Sequence, residues 1–166
     1  MIILKTLTKK NITKKYLSWM NDKTTQKFTE QRYKKHKLSD LKKFIKTKKN
    51  NKLEYLFGIF IKKNNEHVGN IKLGDINFFH KTGDISYFIG NKENWKKGYA
   101  SKAIELIIKI AKKKGLKKIC ASLYKENKGS MKVLKKNKFK LEGELHKQLI
   151  INNKRTSKLI YGLIIK

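Results

Sequence analysis

The chain of 166 residues contains no proline, one cysteine and two arginines, Arg32 and Arg155. No apolar run approaches the ~18–20 residues that a membrane-spanning helix requires, and no charged leader with an apolar centre precedes the first polar segment. Cys120 lies within an apolar run, so we expect a buried thiol rather than a nucleophile or a metal ligand. These absences predict a cytoplasmic protein without a membrane segment.

The positive charge of the chain comes almost entirely from lysine. The formal net charge is +31, which is typical of nucleic-acid-binding proteins. Arginine, however, is the residue preferred for bidentate recognition of phosphate and guanine, and it is nearly missing. Lys, Ile and Asn share A/T-rich codons, so codon bias accounts for the composition. The sequence disfavours a nucleic-acid partner, although a positive field still attracts anionic substrates and repels polyamines.

The N-terminal third of the chain predicts a strand, two short helices and an irregular segment. The strand covers residues 1–8 and the first helix residues 11–20. After the polar segment 21–37, Ser39 is expected to cap a helix over residues 40–49. The side chains expected to face inward from the two helices are Ile12, Tyr16, Trp19, Met20, Leu41, Phe44 and Ile45.

The remaining sequence alternates strands with helices in a single domain that we expect to span residues 1–166. Three aromatic and β-branched runs, over residues 54–90, predict an antiparallel meander. An apolar helix over 99–114, a strand, a helix beginning at Asn127 and a final strand pair follow. The order predicts an α/β fold with one mixed, mostly antiparallel sheet of six to seven strands and about four helices on its faces.

The loop NWKKGYASKA, residues 94–103, joins the meander to the apolar helix. A helix N-terminus exposes unpaired N–H groups and the positive end of the dipole, which together attract anions. Gly98 allows close approach of the backbone to a ligand, Ala100 keeps the next turn thin, and Lys96 and Lys97 add charge. From these residues alone, an anion site and an ordinary strand-to-helix turn both stay open.

Two motifs resemble those of the GCN5-related N-acetyltransferase (GNAT) superfamily. In the first, Trp95, Gly98 and Ala100 match a polar or aromatic residue, two variable residues, Gly, any residue, then Gly or Ala. The fuller stretch is similar to that of ribosomal-protein and amino-sugar acetyltransferases, with Lys96 in place of a glycine. The second motif, ENKGSMKVLKKNKFKLEGEL, has Lys138 in place of another glycine. Its matching residues are Asn127, Ser130, Phe139, Glu142 and Gly143.

The resemblance covers roughly residues 54–165 and implies a GNAT fold with splayed central strands. It also implies acetyl-CoA as the donor, with no metal. Backbone groups near the end of the strand before the loop would pair with the pantetheine arm, and the loop amides would hold the pyrophosphate. The implied acetyl-CoA-binding residues are Phe88, Ile89, Gly90, Lys96, Lys97, Gly98, Tyr99, Ala100, Ser101, Asn127 and Ser130.

The acceptor is implied by a softer resemblance of residues 28–45 and 69–90. These stretches resemble a subgroup that acetylates amines on nucleotide-linked amino sugars in surface-glycan biosynthesis. Residues 29–36 would then lie over the acceptor, and the diphosphate of a nucleotide sugar suits a basic protein. The implied substrate-binding residues are Glu30, Gln31, Arg32 and His80, and Arg32 stays open either as a phosphate ligand or as a residue that fixes the loop.

Acetyl transfer from a thioester to an amine needs a deprotonated amine, a polarised carbonyl and a protonated leaving thiolate. Three side chains stay open as the base: Glu30 in the acceptor segment, and His80 and Asp84, for which an inert surface residue is the alternative. The resemblance implies Ser130 as the proton donor to the thiolate, because Leu134 stands where many relatives have a tyrosine. The Ile89 amide is expected to polarise the carbonyl.

Two other functions stay open. Acetylation of a protein N-terminus or lysine, as in the ribosomal-protein branch, would need an open groove instead of a pocket closed by residues 29–36. A basic nucleic-acid-binding protein without catalysis would be favoured by the loss of Gly98 or Ser130, and both are present. The sequence reveals neither the identity of the sugar nor whether the chain forms a homodimer.

Overall fold

The computed structural model describes residues 1–48 and 51–166, within which the chain forms a seven-stranded sheet and four α-helices. This confirms the predicted α/β class with a mostly antiparallel sheet. The strands are β1 (Ile2–Thr6), β2 (Tyr55–Ile61), β3 (His67–Asn77), β4 (Thr82–Ile89), β5 (Lys118–Tyr124), β6 (Lys140–Ile151) and β7 (Lys154–Ile164). The helices are α1 (Lys14–Asn21), α2 (Leu38–Lys48), α3 (Tyr99–Lys113) and α4 (Lys128–Lys136).

The strand order β1-β2-β3-β4-β5-β7-β6 places the parallel pair β4 and β5 at the centre of the sheet. A parallel pair requires a crossover, which α3 supplies. The paired registers run from Thr82 opposite Lys118 to Asp84 opposite Cys120, after which the two strands diverge. The sheet therefore opens into a gap toward the carboxyl ends of β4 and β5, as the expectation of splayed central strands required.

The two faces of the sheet carry separate apolar clusters. Ile85 of β4 packs in the larger cluster with Ile104 and Ile107 of α3. Phe88 of the same strand packs against the smaller cluster, which includes Trp19 of α1. Because side chains alternate along a strand, α3 and α4 cover one face and α1 and α2 the other. We call these the α3 face and the α1 face.

Some local predictions for the first half of the chain are wrong. Helix α2 begins at Leu38, so Ser39 lies in its first turn instead of capping it. Phe44 is 44% exposed, whereas its helix neighbours Leu41 and Ile45 are buried as expected. The predicted helix end at Lys49 lies outside the described residues.

Cys120 is a free thiol that is only half-buried. Its partner across the parallel pair, Asp84, lies on an exposed part of the α1 face, which explains the incomplete burial. Partial burial raises the pKa of the Cys120 thiol, which disfavours the nucleophilic thiolate. No helix within residues 1–48 and 51–166 is long and apolar enough to cross a membrane.

Candidate active site

A cavity of about 710 Å³ passes through the gap between β4 and β5. Its walls include side chains from both faces of the sheet, so the gap connects a compartment under α4 with a compartment under α1 and α2. The wall residues on β4 and β5 are Ile85, Tyr87, Ala121 and Leu123 on the α3 face, and Ser86, Phe88, Ser122 and Tyr124 on the α1 face.

The backbone of β4 directs hydrogen-bonding groups into this gap. The N–H of Gly90 donates to the carbonyl of Val68 at 2.8 Å, so the backbone N–H of Gly90 points toward β3. Because backbone groups alternate along a strand, those of Tyr87 and Ile89 face the side from which β5 has diverged. The Ile89 carbonyl accepts a hydrogen bond from Trp95 Nε1 at 3.0 Å. The Ile89 N–H therefore points to the side of β4 from which β5 has diverged, and its expected role at the thioester carbonyl stays a prediction.

Gly90 and Phe88 differ from that expectation. The Gly90 carbonyl accepts from Thr25 Oγ1 at 2.9 Å, so both backbone groups of Gly90 are already used. A Cβ at position 90 would collide with the ring of Trp19. Phe88 is in register with Asn70 of β3, and it is its side chain that lines the cavity. Gly90 therefore allows α1 to pack, and its backbone is not free for pantetheine.

The loop after β4 ends in a left-handed residue at the N-terminus of α3. Gly98 has φ +78° and is the N-cap residue, and a Cβ added there would meet no atom within 4 Å. The N–H of Lys102 makes the first intrahelical bond, to the Gly98 carbonyl at 3.0 Å. The preceding amides of Tyr99, Ala100 and Ser101 therefore stand at the positive end of the helix dipole. This arrangement suits an anion such as a pyrophosphate.

The two lysines that stand where the resembled motifs have glycine adopt a left-handed conformation. Lys96 has φ +60° and Lys138 has φ +66°. A residue other than glycine in this region costs about 1–2 kcal/mol, so both positions store strain. Both positions therefore adopt the left-handed backbone without a glycine.

The second motif includes helix α4, which covers the gap on the α3 face of the sheet. Asn127 caps the helix, and its Oδ1 accepts from the N–H of Ser130 at 3.1 Å. The Ser130 carbonyl accepts from the hydroxyl of Tyr87 at 3.4 Å, and burial raises the pKa of Tyr87 to about 12. The Ser130 hydroxyl makes no hydrogen bond to any residue in the described ranges and is available at the cavity wall. Leu134, 1% exposed, is an apolar part of the same wall.

Ser101 also has a structural role. Its hydroxyl accepts from Asn137 Nδ2 at 3.0 Å, and its side chain is buried. Asn137 ends α4, so this bond ties the N-terminus of α3 to the second motif. The backbone amide of Ser101, and not its hydroxyl, is the group that faces an anion.

On the α1 face, a short 3₁₀ turn over Glu30–Tyr33 covers the cavity. Thr29 caps this turn, and its side chain accepts from the N–H of Gln31 at 3.2 Å. Glu30 and Gln31 both line the cavity, and the Glu30 carboxylate accepts from the hydroxyl of Tyr124 at 2.7 Å. The predicted acceptor segment therefore does lie over the gap.

Arg32 holds this segment in place. Its guanidinium donates to the Tyr124 hydroxyl at 2.8 Å and to the carbonyls of Thr29 and Ile150, each at 2.9 Å. These bonds occupy the donor fork. Arg32 thus fixes the loop, and the alternative role of binding a phosphate is not supported by its contacts.

His80 and Asp84 do not line the cavity. His80 is exposed in the turn between β3 and β4, five residues and at most about 17 Å along the chain before Ile85, the first residue of β4 in the cavity wall. Asp84 is the last residue paired with β5, and partial desolvation and the neighbouring Asp75 carboxylate raise the pKa of Asp84. Of the three candidate bases, Glu30 is the one placed in the cavity. The prediction that His80 contacts the substrate is not supported either, because His80 lies outside the cavity.

Several cavity residues were missed by sequence reasoning. Tyr124 is the final residue of β5, a position typical of functional side chains, but the direction of the gap was needed to recognise it. Lys72 and Lys158 gave no signal in a chain so rich in lysine. The Nε2 atom of His36 is buried without a hydrogen-bond partner among the described residues. No cluster of three or more His, Cys, Asp or Glu side chains suited to a metal ion occurs in those residues.

Comparison with known families identifies the class of the protein. The family model described as an acetyltransferase (GNAT) domain matches residues 2–140. The chain therefore belongs to the GNAT acetyltransferase family, and it is an acetyltransferase that uses acetyl-CoA as donor. No curated protein sequence matches the chain.

Solved structures with this fold include three acetyltransferases with bound ligands. Spermidine N-acetyltransferase from Vibrio cholerae, with CoA and spermine, has a TM-score of 0.87, 17% identity, and coverage of 99% of this chain and 95% of that one. The ribosomal L7/L12 acetyltransferase RimL, with CoA, has a TM-score of 0.87 and 18% identity, over 99% of this chain and 94% of that one. The microcin C7 self-immunity acetyltransferase MccE, with acetyl-CoA and AMP, has a TM-score of 0.84 and 23% identity, over 99% of this chain and 92% of that one. These likenesses show the fold.

Proposed function

We propose that this cytoplasmic acetyltransferase acetylates the amine of a nucleotide-linked amino sugar in surface-glycan biosynthesis. The observation that carries the proposal is the distribution of charge in the α1 side of the cavity. Lys72 of β3 and Lys158 of β7 flank the gap from opposite sides, while Glu30 covers it. An acceptor with an anionic part and an amine complements both signs of charge.

The lysines retain net positive charge. Lys72 Nζ lies 3.9 Å from Glu54, but the same carboxylate is paired with Lys48 at 2.6 Å. Two cations therefore share one carboxylate. Lys158 forms no ion pair with a residue in the described part of the chain, and its neighbour across the strand pair is Tyr124. The cavity wall also carries the carboxylates of Glu30, Asp40 and Glu54, so Lys158 is the lysine that we expect to meet a diphosphate near the gap.

Two further observations support a nucleotide. The unpartnered Nε2 of His36 lies buried in the lining of the same compartment, and a buried polar atom of this kind is costly unless a ligand or water satisfies it. The microcin C7 self-immunity acetyltransferase was solved with AMP beside acetyl-CoA, so this fold accommodates a nucleotide. A polyamine acceptor, as in the spermidine enzyme, is disfavoured by the net charge of +31.

The residues present suit the donor and the chemistry. The amides from Lys97 to Ser101, with Gly98 leaving open space, would hold the pyrophosphate, and the free edge of β4 would pair with the pantetheine arm. The Ile89 N–H donates to the thioester carbonyl oxygen as negative charge develops on it. Glu30 receives the proton of the attacking amine. Ser130 donates a proton to the leaving sulfur and regains one from solvent, so the C–N bond forms while the C–S bond breaks.

A thiol-release assay with acetyl-CoA tests the acceptor. UDP- and dTDP-amino sugars are compared with a ribosomal N-terminal peptide and spermidine. We expect turnover with the nucleotide sugars, and we expect Lys72→Ala and Lys158→Ala each to raise their KM about tenfold. Lys109→Ala, on the exposed side of α3, removes the same charge and serves as the control. Turnover restricted to the peptide would instead support the protein-acetylating alternative and contradict the proposal.

A further inference from the structure

Tyr124 occupies the end of β5, at the point where this strand has separated from β4. Its side chain is 5% exposed and lines the cavity. A guanidinium only donates and a carboxylate only accepts, so the Tyr124 hydroxyl accepts from Arg32 and donates to Glu30. The phenol is therefore held in one orientation by two charged partners.

Tyr124 remains protonated over the pH range in which amines are acetylated. Burial raises the pKa of Tyr124, and the hydrogen bond to Glu30 acts in the same direction. The hydroxyl is therefore available as a permanent donor. Its ring lies against Phe28 at 5.9 Å between centroids, which limits rotation of the side chain.

Arg32 links Tyr124 to the edge strand of the sheet through hydrogen bonds. The Ile150 carbonyl that it contacts belongs to β6, while Thr29 belongs to the acceptor segment. Hydrogen bonds therefore run without a break from β6 through Arg32 and Tyr124 to the Glu30 carboxylate. One oxygen of that carboxylate, Oε1, accepts from Tyr124, which leaves Oε2 for a ligand.

We propose that Tyr124 is a positioning residue for acetyl transfer, which orients Glu30 so that its Oε2 accepts the proton from the acceptor amine. The inference rests on the proposed role of Glu30 as the base, but not on the identity of the amine. The proton leaves the amine nitrogen for Oε2 as the C–N bond forms, and Tyr124 keeps its own proton. Arg32 contacts Tyr124 directly, and the other charged or titratable groups near these hydrogen bonds line the same cavity: Lys34, His36, Asp40, Glu54, Lys72 and Lys158.

Tyr33 provides a matched control. Its hydroxyl accepts from the same guanidinium but makes no hydrogen bond to Glu30, because it donates to the Ile150 carbonyl at 3.2 Å. Tyr124→Phe and Tyr33→Phe thus each remove one phenol from Arg32, and only the first removes a donor from Glu30. Urea unfolding of both variants establishes that each is folded before kinetics are compared.

The kinetic test uses whichever amine in the acceptor panel has the greatest kcat/KM. Tyr124→Phe is expected to lower kcat about 10- to 100-fold, the usual effect of one lost hydrogen bond to a charged group, with KM for acetyl-CoA unchanged. Tyr33→Phe stays within about twofold of the wild-type kcat.

A double-mutant cycle separates positioning from a general structural effect. In the Glu30→Gln background, Tyr124→Phe should cause no further loss of kcat, because the group that it positions is gone. An equal loss in both backgrounds, or a wild-type kcat for Tyr124→Phe, would overturn the inference. If nucleotide sugars are inactive but the peptide or spermidine is acetylated, the proposed acceptor fails while this test still proceeds. No transfer to any member of the panel would overturn both.

Discussion

Replacement of Gly98 by glutamate should remove acetyl-CoA binding, and the chain contains a control of the same geometry. Gly98 and Gly115 lie at opposite ends of α3, with φ of +78° and +79°, and an added Cβ would meet no atom within 4 Å at either position. Each substitution therefore costs about 1–2 kcal/mol of folding stability for the left-handed backbone alone. A difference between the two variants reports the ligand and not the fold.

The expected loss of affinity follows from charge. A carboxylate introduced at position 98 would stand about 5–8 Å from a pyrophosphate held by the Tyr99–Ser101 amides. At an effective dielectric of about 20, each pair of negative charges then costs about 2–3 kcal/mol. Since about 1.4 kcal/mol corresponds to a tenfold change, we expect Gly98→Glu to weaken binding at least about 100-fold. Gly115→Glu should bind within about threefold of wild type.

Isothermal titration calorimetry with acetyl-CoA measures these affinities, and urea unfolding measures the backbone cost of each variant. Lys96→Ala, which removes one exposed charge beside the loop, should weaken binding by only a few-fold. Equal affinity of Gly98→Glu and Gly115→Glu would refute the assignment of the pyrophosphate to this loop, whatever the stability of the two proteins.

Three further predictions concern strain, pH and the leaving group. Lys96→Gly and Lys138→Gly should each raise the free energy of unfolding by roughly 0.5–1 kcal/mol in urea titration, because glycine relieves the left-handed strain; a destabilised variant would contradict the strain. Burial lowers the pKa of His67 from 6.5, so the unfolded chain binds the extra proton and stability should fall below pH 6.5, by at most about 1.4 kcal/mol per pH unit, until the folded pKa is reached. His67→Gln should remove this dependence in pH-dependent unfolding and His80→Gln should not. Ser130→Ala should lower kcat at least about tenfold in the thiol-release assay, and a normal kcat would exclude Ser130 as the proton donor.

The elements themselves could be predicted because their apolar periodicity is strong. The long apolar face of α3 and the alternating strands leave little choice of local structure. Phe44 was misplaced because periodicity reports one side of a helix, and α2 uses a narrower buried stripe, formed by Leu41 and Ile45. Helix starts are also weakly specified, so Ser39 was taken for a cap that α2 does not use.

The site could be predicted only where its chemistry follows the chain locally. The Gly98 loop and the Asn127 cap are contiguous motifs; Asn127 lines the gap, and the Asn137–Ser101 hydrogen bond ties the N-terminus of α3 to the same motif. Contacts between distant segments gave no signal. Thr25 and Trp19 use up the backbone and the space at Gly90, and neither contact is visible in the sequence.

The same limit applies to the acceptor compartment. Glu30 becomes distinct from His80 and Asp84 only when the direction of β4 is known, because the gap opens at one end of that strand. Arg32 was open as a phosphate ligand until its partners on β5 and β6 were in place. Long-range hydrogen bonds thus decide between roles that sequence spacing leaves equal.

The most direct test of the site is a crystal structure of the chain with acetyl-CoA and a UDP-amino sugar. We expect the pyrophosphate of acetyl-CoA within hydrogen-bond distance of the amides of Tyr99, Ala100 and Ser101. The thioester carbonyl oxygen should lie at the Ile89 N–H, and the sugar amine should lie on the Glu30 side of the gap. A thioester that stays outside the gap between β4 and β5, or a pyrophosphate bound elsewhere, would contradict the account.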